Sequence, residues 1–240
     1  LLVILLPVLL FYFLWRAVFR RKSIAGLGER LGAVSSRLEG LAGTDDPRIW
    51  IHAVSVGEVA AVEPILQEIR LADPIARIVM STTTATGREM ASSRQLDPDA
   101  LIYLPLDFPL IVERVLDAVR PEVLVLVETE LWPNLLEVAR RRGVKVALVN
   151  ARVSDRSFPR AKLFGPLYRW SLGNLDVMCA QSQVDADRLI DLGADPDRVV
   201  VTGNSKFDED FPTVAEAEAA KYRQDFGFSQ DAEVFVAGST

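Results

Sequence analysis

At 240 residues, 50% of them hydrophobic and 25% charged, the chain is long enough for one full α/β domain and part of another, with a sizeable core. One cysteine, Cys179, excludes an internal disulfide scaffold, and a net charge of −6 argues against nucleic-acid binding, which needs a basic face to neutralise phosphates. The charge is uneven: residues 1–30 hold five basic residues and one acidic (+4), so residues 31–240 sum to −10.

The chain opens on an apolar run from Leu1 to Trp15, followed by Arg16, Arg20, Arg21 and Lys22. As a helix the run spans about 22 Å, short of a hydrocarbon core of about 30 Å. Ala17, Val18 and Phe19, with Arg16 snorkelling, bring it close to spanning length. The basic residues follow the run, the reverse of a signal peptide. Residues 1–22 are therefore read as a membrane-anchor helix, with the body on the cytoplasmic side.

From Arg48 onward, short apolar runs alternate with helical patterns. Strands are predicted at Ile49–Val54, Ile78–Ser81, Leu101–Leu104, Val123–Val127, Val144–Val149, Val177–Ala180 and Val199–Thr202. Helices are predicted at Glu58–Ala72, Thr86–Gln95, Phe108–Val119, Pro133–Arg142, Phe158–Leu172 and Gln183–Leu192. Most of the strands are Val, Ile and Leu without alternation, as in strands covered on both faces of a parallel sheet. The whole predicts an α/β fold: a Rossmann-like, doubly wound parallel sheet. No GxGxxG follows the first strand, so a dinucleotide cofactor has no support. Val214–Phe226 reads as a helix and Val234–Gly238 as the opening of a further buried strand. The division is therefore residues 1–22 anchor, 23–205 Rossmann-like domain, and 206–240 linker and start of a second domain.

Chemistry in such a sheet gathers where strands end and helices begin. At the first junction, His52-Ala-Val-Ser55-Val-Gly57-Glu58, the acid either serves the helix dipole or takes a proton from an incoming hydroxyl; mid-strand His52 reads as a core histidine. Ser81 to Gly87 reads either as a helix cap, the default, or as a seat for an anionic ligand. Glu128-Thr-Glu130-Leu-Trp132-Pro133 follows a fully apolar strand, and its two acids are either caps or a catalytic pair, facing the same way only while the chain stays extended. Arg152, Arg156, Arg160 and Lys162 form the one basic cluster of an acidic body, with Phe164, Tyr168 and Trp170 after it. Such a cluster is either a solvated basic face, the usual case, or, beside a membrane anchor, a site for phosphorylated lipid head groups with the aromatics at the interface.

Ser55-Val-Gly-Glu58, Glu128-Thr-Glu-Leu-Trp-Pro-Asn134, Asn150-Ala-Arg-Val-Ser-Asp-Arg-Ser157 and Gly203-Asn-Ser-Lys-Phe-Asp208, in this order, resemble the bacterial lipid A Kdo (3-deoxy-D-manno-octulosonic acid) transferases. Gly28-Glu-Arg-Leu-Gly32 and the closing Ala237-Gly-Ser-Thr240 fit as well, while Ser205 stands where an apolar residue is expected. The resemblance implies the N-terminal, acceptor-binding half of a GT-B glycosyltransferase. It implies inverting transfer of Kdo from CMP-Kdo to a hydroxyl of the lipid A precursor at the inner membrane, without a metal or other cofactor. It makes Glu58 the general base, kept ionised by its helix N-terminus, and makes Glu128 or Glu130 a second essential carboxylate. Ser55, Gly57, Arg152, Arg156, Arg160 and Lys162 would meet the acceptor, and Gly238, Ser239 and Thr240 would begin the donor phosphate loop. Two alternatives stand beside this: a non-catalytic, membrane-anchored module for an anionic lipid or nucleotide, and a GT-B enzyme with another acceptor.

Overall fold

The computed structural model describes residues 26–93, 96–208, 214–229 and 232–235. The anchor segment and Gly238, Ser239 and Thr240 lie outside these residues. The chain divides into two units, one up to Asp208 and one from Glu209.

The first unit is built on seven parallel strands: β1 (Arg48–His52), β2 (Arg77–Thr82), β3 (Ala100–Tyr103), β4 (Val123–Val127), β5 (Lys145–Ala151), β6 (Val177–Ala180) and β7 (Val199–Val201). Their order is β3-β2-β1-β4-β5-β6-β7, the doubly wound arrangement the sequence predicts. A short helix, α1 (Leu27–Arg30), precedes the sheet; α2 (Val56–Ala72), α3 (Ala85–Ser93), α4 (Pro109–Val119), α5 (Pro133–Arg141), α6 (Phe158–Leu163), α7 (Gly165–Leu172) and α8 (Gln183–Asp191) connect the strands. Strand alternation sends Trp50, Leu124, Leu126, Val146 and Leu148 to a core shared with Val112, Leu116, Leu135 and Leu189 of α4, α5 and α8. Ile51, Met80, Val125 and Val127 face the opposite core with Val59, Val62 and Leu66 of α2. With no water on either side of the central strands, apolar residues fill both of their faces.

Two boundaries depart from the predicted ones. β1 stops at His52 because Val54 turns its N–H to the Glu58 carboxylate and its carbonyl to Thr84 Oγ1. The predicted helix Phe158–Leu172 is two helices joined at Phe164, because Pro166 has no N–H to continue the ladder. In the second unit, α9 (Glu216–Asp225) matches the predicted helix, whereas Val234 and Phe235 lie in no regular element and are exposed. Among the described residues no helix is long and apolar enough to cross a membrane.

The Gly28–Gly32 motif has a structural task. Glu29 of α1 is buried and accepts from Arg88 Nη1 (2.8 Å), Arg37 Nε (3.0 Å) and the Tyr103 N–H (2.8 Å), while the Arg30 and Arg88 guanidiniums lie over the Tyr103 ring at 4.7 and 4.5 Å. Burial works to raise the Glu29 pKa, but these donors outweigh it and the net shift is downward. Glu29→Ala should therefore cost about 3 kcal/mol, since it leaves Arg88 unpaired in a half-dry setting. Urea denaturation checks this. The wild-type advantage should shrink as pH falls through the depressed pKa, because the paired form of Glu29 is the ionised one.

Candidate active site

The strand order reverses between β1 and β4, so the loops leaving their carboxyl ends diverge and leave a crevice. Both acidic motifs read from the sequence stand on these two loops. Glu58 lies in the first turn of α2 and is 6% exposed. Its Oε2 accepts from the Val54 N–H (2.8 Å) and its Oε1 from the Ser55 hydroxyl (2.8 Å). The acid thus folds back over the start of its own helix in a variant of the capping box. Burial pushes its carboxyl above the ordinary value; the two hydrogen bonds oppose this, and the charge of Glu128 adds to it. Removal from water outweighs the donors at the helix terminus, so Glu58 is a stronger base than an ordinary glutamate.

Glu128 and Glu130 come together by a route the sequence does not show. Instead of staying extended, the chain turns at Glu128, which has φ of 60°, a left-handed conformation that costs a non-glycine residue about 1 kcal/mol or more. The Glu128 N–H still reaches the Val149 carbonyl (2.9 Å), and its Oε1 accepts from Lys206 Nζ at 2.8 Å. Glu130 is pushed up to about 7, first by burial and then by the charges of Glu58 and Glu128; the Trp132 indole works the other way. The charges of Glu58 and Glu128 thus bear on Glu130, and that of Glu128 on Glu58.

The sequence reading passed over three supports. In the sequence Lys206 belongs to the Gly203–Asp208 motif and starts the linker, with no site role of its own. Its turn, Ser205–Phe207, is held down by the Ser205 N–H on Asn150 Oδ1 (3.1 Å) and by the Ser205 hydroxyl on the Ala61 carbonyl (3.0 Å). Ser205, unexpected as a polar residue, thus ties the end of the unit to the helix that carries Glu58. Asn150 is buried and left-handed (φ 52°), a conformation asparagine tolerates better than most residues; an asparagine closing an apolar strand was the available signal. Asp107 caps α5 through the N–H groups of Asn134 (3.1 Å) and Leu135 (2.8 Å), fixing where the Glu128–Trp132 loop must end.

The remaining residues sort as follows. The Ser55 hydroxyl is spent on Glu58, and Gly57 lies beside Lys206, whose Nζ would meet an added Cβ at 3.7 Å, an ordinary contact. His52 is a core histidine: fully buried, its Nδ1 meets Ser81 Oγ (2.9 Å) and the Ser81 carbonyl (3.1 Å), its ring stands edge-on to Trp132, and burial lowers its pKa to about 4. Thr84 caps α3 through the Gly87 N–H (3.0 Å), as expected of that junction. In the basic cluster, Lys162 pairs with Asp191 (3.4 Å) and covers the Phe158 ring, whereas the exposed side chains of Arg152, Arg156 and Arg160 have no partner among the described residues. The cluster begins on the loop after β5, which Thr129 of the acidic loop contacts through the Arg152 carbonyl.

Lys206→Met should destabilise the fold by about 1 kcal/mol, because it leaves Glu128 unpaired among like charges. In a double-mutant cycle most of that loss should vanish in a Glu128→Gln background, where urea unfolding would read the coupling directly.

Solved structures with this fold include a UDP-GlcNAc 2-epimerase from Neisseria meningitidis bound to UDP-GlcNAc, with TM-score 0.53 and 15% identity over 77% of this chain and 55% of that one. Another, from Methanocaldococcus jannaschii, matches at TM-score 0.53 with 16% identity over 67% of this chain and 46% of that one. At such identities the likeness is one of fold. By sequence, the chain is 39% identical over 171 residues to a 3-deoxy-D-manno-octulosonic acid transferase of Bordetella pertussis, covering 68% of this chain and 39% of the relative. It is 29% identical over 238 residues to one of Chlamydia pneumoniae (99% and 53%). It is also 35% identical over 231 residues to a bifunctional glycosyltransferase/methyltransferase of Fusobacterium nucleatum (95% and 35%). The chain thus spans about a third to a half of the length of these relatives. The family model described as 3-deoxy-D-manno-octulosonic-acid transferase (kdotransferase) matches residues 25–209, which takes in Glu58, Glu128, Glu130 and Lys206 alike, and the chain belongs to that family.

Proposed function

We propose that this chain is the acceptor-side half of an inverting Kdo transferase, acting at the cytoplasmic face of the inner membrane. The reading moves Kdo from CMP-Kdo to a hydroxyl of the lipid A precursor. The observation that carries it is the set of Glu58, Glu128 and Glu130 at the point where the strand order reverses, with burial and neighbouring charge raising the carboxyls of Glu58 and Glu130. A group that must take a proton near neutral pH needs such a shift. A module built to bind an anion would have no use for three carboxylates on its working edge.

In this mechanism Glu58 takes the proton of the acceptor hydroxyl. The freed oxygen pair attacks the anomeric carbon of Kdo, and the bond from that carbon to the CMP phosphate oxygen breaks, releasing CMP. Lys206 balances Glu128, so that the added charge of the set falls on Glu58 and Glu130. Arg152, Arg156 and Arg160 are assigned to the acceptor's phosphates, and Gly238, Ser239 and Thr240 to those of the donor. No metal enters the reaction. The test is transfer from freshly generated CMP-Kdo to the lipid A precursor in detergent, using a chain extended to the length of the curated relatives. A product heavier by one or more Kdo units, formed equally well with a chelator present, is the expected result. No mass gain from a folded protein overturns the reading, and chelator-sensitive transfer overturns its metal-free part.

A further inference from the structure

Arg30 is the cation of the Gly28–Gly32 motif that the Glu29 network leaves uncancelled. The Glu29 carboxylate is taken by Arg88 (2.8 Å) and Arg37 (3.0 Å), and Arg30 has no carboxylate partner among the described residues. Its guanidinium is half-buried, held by one Nη2–H on the Thr83 carbonyl and by the Tyr103 ring at 4.7 Å. Burial lowers its pKa, and the nearby Tyr103 and Glu29 raise it by less. A guanidinium is a flat fork of N–H donors that matches a carboxylate or a phosphate, and most of this fork has no acceptor among the described residues.

Two hydroxyls beside it share that condition. Thr82 is fully buried and stands across from Tyr103 in the β2–β3 register, so its side chain shares that ring's face of the sheet. Its Oγ1 and that of Thr83 are buried, and neither has a partner among the described residues. Buried hydroxyls are normally hydrogen-bonded, and an exception calls for a reason. Three groups able to donate, gathered at one strand end without an acceptor, are matched by a ligand that only accepts: an oxyanion.

This strand end adjoins the crevice. The Thr84 N–H (3.4 Å) and Oγ1 (3.0 Å) both reach the Val54 carbonyl, and the Val54 N–H is held by Glu58. Thr82 lies two residues past Met80, on the face of the sheet that α2 covers. An anionic substrate approaching Glu58, Glu128 and Glu130 meets like charge, and Arg30 is a cation at the same edge that no acid of the fold cancels. In the transfer reading the phosphates of both substrates have assigned partners. The carboxylate of the sugar acid, bonded to the carbon under attack, has none.

We propose that Arg30, with the Thr82 and Thr83 hydroxyls, binds the carboxylate of the transferred sugar acid and so sets the specificity for an acidic sugar. The inference rests on the transfer reading for the identity of its ligand. A neutral sugar of the same size leaves the guanidinium and the hydroxyls unmatched and is rejected for that reason.

The test compares free Kdo with its methyl ester, which keeps the sugar and loses the charge. Binding to a chain extended to the length of the curated relatives is read by saturation-transfer NMR. The wild type should bind the acid about 30-fold more tightly than the ester. Arg30→Gln should bring the two within about threefold by weakening the acid alone, and Arg30→Lys should restore part of the preference, since it returns the charge without the fork. Thr83→Val removes a hydroxyl that has no partner in the fold; it should weaken the acid about fivefold and leave the melting temperature unchanged. In transfer assays Arg30→Gln should raise the KM for CMP-Kdo about 30-fold and leave that of the acceptor within about twofold. A wild type that binds neither compound, or both equally, overturns the proposal. So does an Arg30→Gln variant that loses acid and ester alike, the mark of a role limited to packing on Tyr103. A rise confined to the acceptor's KM also overturns it and gives the seat to a phosphate. Selective binding of the acid by a wild type that transfers nothing would uphold the seat and strike the transfer reading.

Discussion

Glu58→Gln should lower sugar transfer by about 1,000-fold, the middle of the range for losing a positioned general base, with little change in the Michaelis constants. Glutamine keeps the size of the side chain: its amide oxygen can accept from the Val54 N–H while its NH2 donates to the Ser55 hydroxyl oxygen, so the start of α2 should survive. The loss would then report proton transfer rather than collapse of the loop, and an unchanged melting temperature checks this. In the wild type, transfer should decline on the acid side as Glu58 gains its proton, at a higher pH than an ordinary glutamate would dictate, because burial raises its pKa. Transfer by Glu58→Gln at more than a tenth of the wild-type rate would remove Glu58 from the mechanism while leaving the enzyme in place.

The second large effect is on stability and needs no substrate. Glu130 has a folded-state pKa of about 7 against an ordinary 4.5. A carboxyl raised in this way favours the folded state in its protonated form, so its contribution is complete below about pH 4.5 and is lost as pH rises through about 7. Glu130→Gln removes this dependence. At pH 8 the variant should melt about 5 °C above the wild type, the difference should close by pH 4.5, and the corresponding free energy is about 2 kcal/mol once partial exposure is allowed for. Calorimetry at the two pH values reads it directly. A difference that does not vary with pH would overturn the raised Glu130 carboxyl, and the same experiment on Glu58→Gln, which removes a neighbouring charge, would show whether Glu58 carries the dependence instead.

The order of strands and helices was legible because a parallel sheet covered on both faces demands apolar runs, and those runs are plain in the sequence. Its limits appear at single residues. Pro166 breaks a helix whose apolar stripe runs on across the break, and Val54 leaves β1 because Glu58 takes its N–H. The Glu128–Glu130 pair was visible as two acids after a strand. Its form was not, since a left-handed glutamate is an outlier that local propensity disfavours and only the surrounding structure holds in place.

What the sequence determined by itself was the α/β class, the junctions where chemistry would gather, and the motifs that mark the family, because periodicity and short-range spacing are properties of neighbours along the chain. What only the tertiary structure decided was which junctions share one crevice and what they do to each other. Glu58 and Glu130 are 72 positions apart, and Lys206 follows Glu128 by 78. Their pairing depends on strand order, and the raised pKa values of Glu58 and Glu130 on burial and on through-space charge, neither of which is written in local sequence.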